Sequence, residues 1–127
     1  MRRAAVLLAG VLVAGCAPEV LRVPIQPVAE APSGRAATIA LRQSAVLNIG
    51  TGYPRTLAAG SRWRLAGALP QGLVYQAAQG VFTLEGANIH EAYLVLRGRE
   101  VVGFYLPAEQ AYSPLKDAVM LVLEESP

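Results

Sequence analysis

The 127-residue chain is poor in the residues from which sites are most often built: one cysteine, one histidine, one tryptophan and a single lysine, Lys116. One cysteine forms no internal disulfide, so no covalent staple helps the fold. One histidine beside one cysteine argues against a zinc centre, which usually takes four ligands of these types, and no metal or other cofactor is expected. Charged residues make up 16% against 54% hydrophobic, the reverse of a disordered composition. The formal charge of +2 comes from Arg2 and Arg3: beyond residue 15 the 11 Lys and Arg become 9, against 9 Asp and Glu. A balanced chain with one lysine lacks the clustered cations that neutralise phosphates, which excludes nucleic acid as the expected partner. Helical periodicity of useful length is also missing after Cys16, and the length suits one domain.

The N-terminus is where pattern is densest. Arg2 and Arg3 precede an uncharged run from Ala4 to Ala14, the layout of a secretory signal peptide. A membrane-spanning helix needs about 20 apolar residues, and this run is too short. Leu12-Val13-Ala14-Gly15-Cys16 resembles the lipobox of bacterial lipoprotein precursors, a likeness confined to residues 1–16. The resemblance implies cleavage between Gly15 and Cys16, a diacylglyceryl group on the Cys16 sulfur and, often, acylation of the freed amine. Two or more chains hold a protein stably on a bilayer where one holds it only marginally. Ala17 stands where an aspartate tends to retain such proteins in the inner membrane, so the resemblance implies the outer membrane and a periplasmic body.

Residues 16–36 read as a lipidated N-terminus and tether. Pro18, Pro24, Pro27 and Pro32 exclude a helix, and twenty residues of polyproline-type chain reach up to roughly 60 Å. Val20, Leu21, Val23 and Ile25 are more apolar than a spacer needs, which leaves open packing on the body or on a partner.

From residue 37 to 127 short β-type runs alternate with turn residues. Leu69-Pro70-Gln71-Gly72 suits a type I turn. Ala92 to Leu106 reads as a hairpin of two apolar runs with Arg97-Gly98-Arg99-Glu100 at its tip. "PAEQAYSP" suggests one helical turn, and "AVMLVLEE" a final strand. The expectation is an all-β domain, a small antiparallel barrel or sandwich of six or seven strands, with an SH3-like barrel as the first choice.

Catalytic motifs are hard to find. His90-Glu91 begins a zinc-protease motif, but position 94 is leucine where the second histidine belongs. His90 is therefore expected to bond backbone at a strand start, with a surface contact or pH-sensitive role as the alternative. Ser44, Ser61 and Ser113 lie outside Gly-x-Ser-x-Gly, and Glu85, Glu91 and Glu109 read as solvated carboxylates. Strand alternation sets Trp63 opposite Arg62 and Arg64, predicting a buried indole between exposed guanidinium groups. Trp63, Arg62, Arg64 and His90 are the candidate partner-binding residues. The function expected is a non-catalytic binding or accessory module of an envelope assembly, meeting membrane lipid through Cys16 and an envelope protein or cell-wall partner through its body. An inhibitor of a cell-wall hydrolase such as lysozyme is the alternative, and a small envelope hydrolase the third.

Overall fold

The computed structural model describes residues 19–25, 27–49 and 53–127; Gly15 and Cys16 lie outside them. The described residues form twelve strands and no helix. They are β1 (Val23–Pro24), β2 (Thr38–Leu41), β3 (Ala45–Leu47), β4 (Arg55–Leu57), β5 (Arg62–Leu69), β6 (Gly72–Ala77), β7 (Thr83–Glu85), β8 (Ile89–Glu91), β9 (Tyr93–Arg97), β10 (Glu100–Leu106), β11 (Ala111–Met120) and β12 (Leu123–Ser126). Eight make one sheet in the order β1-β11-β10-β9-β6-β5-β2-β12, and β3-β4 and β7-β8 are separate two-stranded ribbons. Every pairing is antiparallel.

Local chemistry explains the turns. Arg97 pairs with Glu100 across a two-residue tip in which Gly98 has φ 63°, the positive value that the first central position of a type II′ turn requires. Leu69 pairs with Gly72 around Pro70-Gln71, the turn expected there.

The sheet is apolar on both faces because both are covered. On one side Ile39, Leu41, Trp63, Tyr75, Leu94, Leu96, Phe104 and Leu106 form the main core, with Leu47 and Leu57 from the β3-β4 ribbon and Leu84 from β7. On the other side Val74, Val95, Tyr105, Tyr112 and Leu69 form a second cluster, packed against Ile25 and Val28. Consecutive residues Leu94, Val95 and Leu96 thus alternate between the two clusters, as a pleated strand demands. Each large aliphatic side chain so buried contributes about 1.5–3 kcal/mol.

Ile25 and Val28 come from the segment read as a spacer. From residue 19 onward it is laid on the body instead of standing free. Val20 is 1% exposed in the main core, Val23 and Pro24 pair with Tyr112 and Ala111, and Ala29 and Ala68 exchange two backbone hydrogen bonds of 3.0 and 2.9 Å. The apolar residues among the prolines are the reason: Ile25 and Val28 cover the second face of the sheet, and Val20 joins the main core. Among the described residues, the strands and both clusters make one continuous set of contacts from Val20 to Ser126.

Other local expectations change. Pro107–Gln110 is a tight turn, with Gln110 at φ 48°, and not a helical turn. The final run is two strands. β11 pairs with β10, then Leu121 N donates to Arg99 O, Arg42 N donates to Val122 O, and β12 pairs with β2 at the far end of the sheet. One continuous segment thus supplies the strand next to one edge of the sheet and the edge strand at the other, although no sheet closes among the described residues, as an SH3-like barrel would require. The strand count exceeds six or seven because the final run holds two strands and because short strands such as β1, β4 and β8, of two or three residues, are added.

Candidate binding site

Three groups of polar or aromatic side chains stand out. The first surrounds Trp63. Alternation along β5 leaves Trp63 3% exposed while Arg62 and Arg64 are exposed on either side, as expected. The indole meets Phe82 edge-on at 5.4 Å, Phe82 stacks on Phe104 at 6.1 Å, and the Arg55 guanidinium lies 5.0 Å over the Phe82 ring. Trp63 Nε1 donates to Ser61 Oγ at 3.2 Å, and Ser61 Oγ donates to Ala58 O at 2.7 Å, so the one polar atom of the indole is satisfied internally. A cleft of about 270 Å³ opens beside this cluster, lined by Arg62, Trp63, Gln79, Val81 and Phe82 among others. Trp63 and Arg62 thus share a cleft that Arg64 and His90 do not line, and the tryptophan is a wall of the core more than a contact surface.

The second group is His90 and Glu109. His90 lies in β8 opposite Leu84 and is 3% exposed. Its Nδ1 is 2.7 Å from Glu109 Oε1, while Nε2 is buried without a hydrogen-bond partner. Because the carboxylate accepts, Nδ1 carries the proton. The backbone partner expected for His90 is replaced by an acidic side chain brought in by the Pro107–Gln110 turn, and Glu109 is correspondingly not a free carboxylate. His90 therefore offers no surface for a partner. No group of three or more metal-ligating side chains occurs among the described residues.

The third group has no counterpart in the sequence reading. At the end of the sheet that carries the β9-β10 tip, a cleft of about 500 Å³ is lined by Arg35, Arg97, Arg99 and Glu125 together with Ile39, Leu69, Leu73, Leu96 and Leu123. The Pro32–Ala36 stretch supplies one wall, the hairpin tip a second and β12 a third. Tyr75 OH donates to Ala36 O at 2.9 Å and ties the N-terminal segment to this end of the sheet. Burial pushes the Tyr75 phenol above its ordinary value, Glu125 adds to the rise and Arg35 opposes it. None of the three arginines is in an ion pair: among the described residues the salt bridges are Arg22–Glu19 and His90–Glu109. Three of the nine cations beyond residue 15 converge here with one of the nine carboxylates. Arginine, planar and always charged, is suited to carboxylate and phosphate groups.

What sequence reasoning missed is spatial: positions 35, 97, 99 and 125 meet only through the strand order. The clue within reach was the Arg97-Gly98-Arg99 tip, two cations flanking one turn glycine. Compared with protein-family models, with curated proteins and with solved structures, the chain matches none.

Proposed function

We propose that the protein is a lipid-anchored envelope lipoprotein of the outer membrane, its acylated Cys16 in the periplasmic leaflet and its β domain a non-catalytic binding or accessory module. The sequence supports the anchor through the basic n-region, the uncharged run and the Leu12-Val13-Ala14-Gly15-Cys16 motif. The observation that carries the reading into the fold is the docking of the N-terminal segment. Val20 is buried in the body four residues after Cys16 and β1 follows at Val23, and four residues span at most about 14 Å. A lipid on Cys16 would therefore hold the β1-β11 end of the sheet against the bilayer. The binding role rests on the arginine-lined cleft at the other end, where uncompensated charge meets an apolar floor.

The test is fractionation of cells producing the full chain or its Cys16→Ser variant, with mass spectrometry of the processed N-terminus. The wild-type protein is expected in the outer-membrane fraction with a diacylglyceryl mass increment on Cys16, and the variant outside that fraction. Equal membrane partition of the two would overturn the anchoring claim.

A further inference from the structure

We propose that the cleft between the β9-β10 tip, β12 and Pro32–Ala36 is a binding site for a small amphiphilic anion, a carboxylate or phosphate monoester carrying an apolar tail or ring. Ligand sites are concave, in volumes of roughly 300–1,000 Å³, and combine apolar surface with convergent polar groups, and this cleft of about 500 Å³ has that size and mixes the two kinds of lining. Its leucine and isoleucine side chains supply the apolar floor and Arg35, Arg97 and Arg99 the cationic rim. Glu125 is the one carboxylate lining the cleft and forms no ion pair with the arginines, so the rim keeps a formal excess of two positive charges.

The walls are built to hold their shape. Leu121 N donates to Arg99 O at 2.9 Å, which ties the hairpin tip to the crossing segment, and Tyr75 OH holds Ala36. A Cβ at Gly72 would lie 2.3 Å from Leu96 O, so β6 and the end of β9 approach as closely as backbone allows. Rigid walls spare a ligand the ordering cost that a mobile rim would impose.

An anionic group with an apolar tail reaches such a site either as a free molecule or as part of a membrane lipid. The cleft favours the free molecule. It lies at the opposite end of β10 from the Pro107–Gln110 turn, beside which Val23 and Pro24 pair with β11 and which the anchor would hold towards the bilayer; this orientation alone rests on the anchored reading, whereas the assignment of the cleft does not.

The experiment is an amide NMR titration of the chain beginning at residue 16 with Cys16→Ser. The probes are octyl phosphate, inorganic phosphate, octyl glucoside and phosphatidylglycerol vesicles. Octyl phosphate is expected to shift the amides of Arg97–Arg99, Leu73 and Leu123. Inorganic phosphate and octyl glucoside, each with half of the required chemistry, are expected to bind at least about tenfold more weakly. Arg97→Ala and Arg99→Ala should each weaken octyl phosphate roughly 10- to 100-fold, the range for losing a charge-assisted hydrogen bond, with the rest of the spectrum unmoved. Arg42→Ala, outside the cleft, should bind as the parent does. Equal binding of octyl glucoside, shifts centred on the Trp63–Phe82 cleft, or a response to vesicles without one to monomeric octyl phosphate would each overturn the assignment. Membrane fractionation of the full chain reads the anchor separately, so failure of one claim is distinguishable from failure of the other.

Discussion

Trp63 joins the sheet to the β7 side of the core through Phe82, and Phe82 carries that contact on to Phe104 and up to Arg55. Removing the indole deletes the first ring of this series and leaves Ser61 Oγ without its donor. Trp63→Ala is expected to cost about 3–5 kcal/mol, the range for aromatic truncation in a core, read from urea unfolding. Arg62→Ala and Arg64→Ala, at exposed positions of the same strand, should stay within about 0.5 kcal/mol. A loss for Arg62 as large as that for Trp63 would show that the guanidinium supports the core. Tyrosines give a second test at this scale. Burial, first among the causes, raises the phenols of Tyr75 and Tyr112 above their ordinary value of 10.0. A group whose value is higher in the folded state stabilises fully below the unfolded value and stops doing so as pH rises through the folded one. Stability should accordingly hold up to about pH 10 and fall above it. Absorbance titration at alkaline pH should show a late-ionising fraction that Tyr75→Phe diminishes.

The N-terminal segment acts as an element although only two of its residues form a strand. Its close approach depends on Gly67, where a Cβ would stand 2.3 Å from Val28 Cγ1 and 2.6 Å from Ala29 O. Gly67→Ala must lift the segment or bend β5, and should destabilise by about 1–3 kcal/mol, as overpacking does. A neutral result in urea unfolding would mean that the segment lies on the sheet more loosely than its contacts imply. Deleting residues 16–36 is the larger version of the same change. It uncovers Leu69, Val74, Val95, Tyr105 and Tyr112, and the shortened chain should bind a hydrophobic dye and self-associate where the longer chain does neither. Elements differed in how plainly the sequence announced them. The β9-β10 hairpin was legible because two strand-length apolar runs flank a charged tip containing glycine. β11 was not, since Pro114 and Lys116-Asp117 interrupt the pattern. Pro114 pairs with Gly103 beside the register shift at Val101 and Gly103, beyond the two residues paired with β1, where the missing N–H is tolerated. Val20, Ile25 and Val28 were visibly apolar, but no local period says which face of which sheet they cover. The arginine cleft was the least legible feature, since its cations are up to 64 positions apart in the chain, from Arg35 to Arg99.

At the scale of the whole molecule the fold would turn the proposed anchor into an orientation. The β9-β10 tip and the Pro107–Gln110 turn lie at opposite ends of β10, whose seven residues extend roughly 23 Å at the rise of an antiparallel strand. Strand β1 meets β11 at Tyr112 and Ala111, the turn end. Under the proposed anchoring, a lipid on Cys16 would place that end next to the bilayer and direct the arginine cleft away from it, so a domain that a free tether could carry up to roughly 60 Å from the membrane would be held close. In the proposed anchored form acylation would block Cys16, leaving a cysteine introduced elsewhere as the only free thiol. With the acylated protein in vesicles, a fluorophore at Ala108→Cys should be strongly quenched by a headgroup-attached quencher. One at Arg99→Cys, at the far end of the strand, should be quenched weakly. Equal quenching at the two positions would mean that the body turns freely about its anchor, and the cleft would then have no fixed direction.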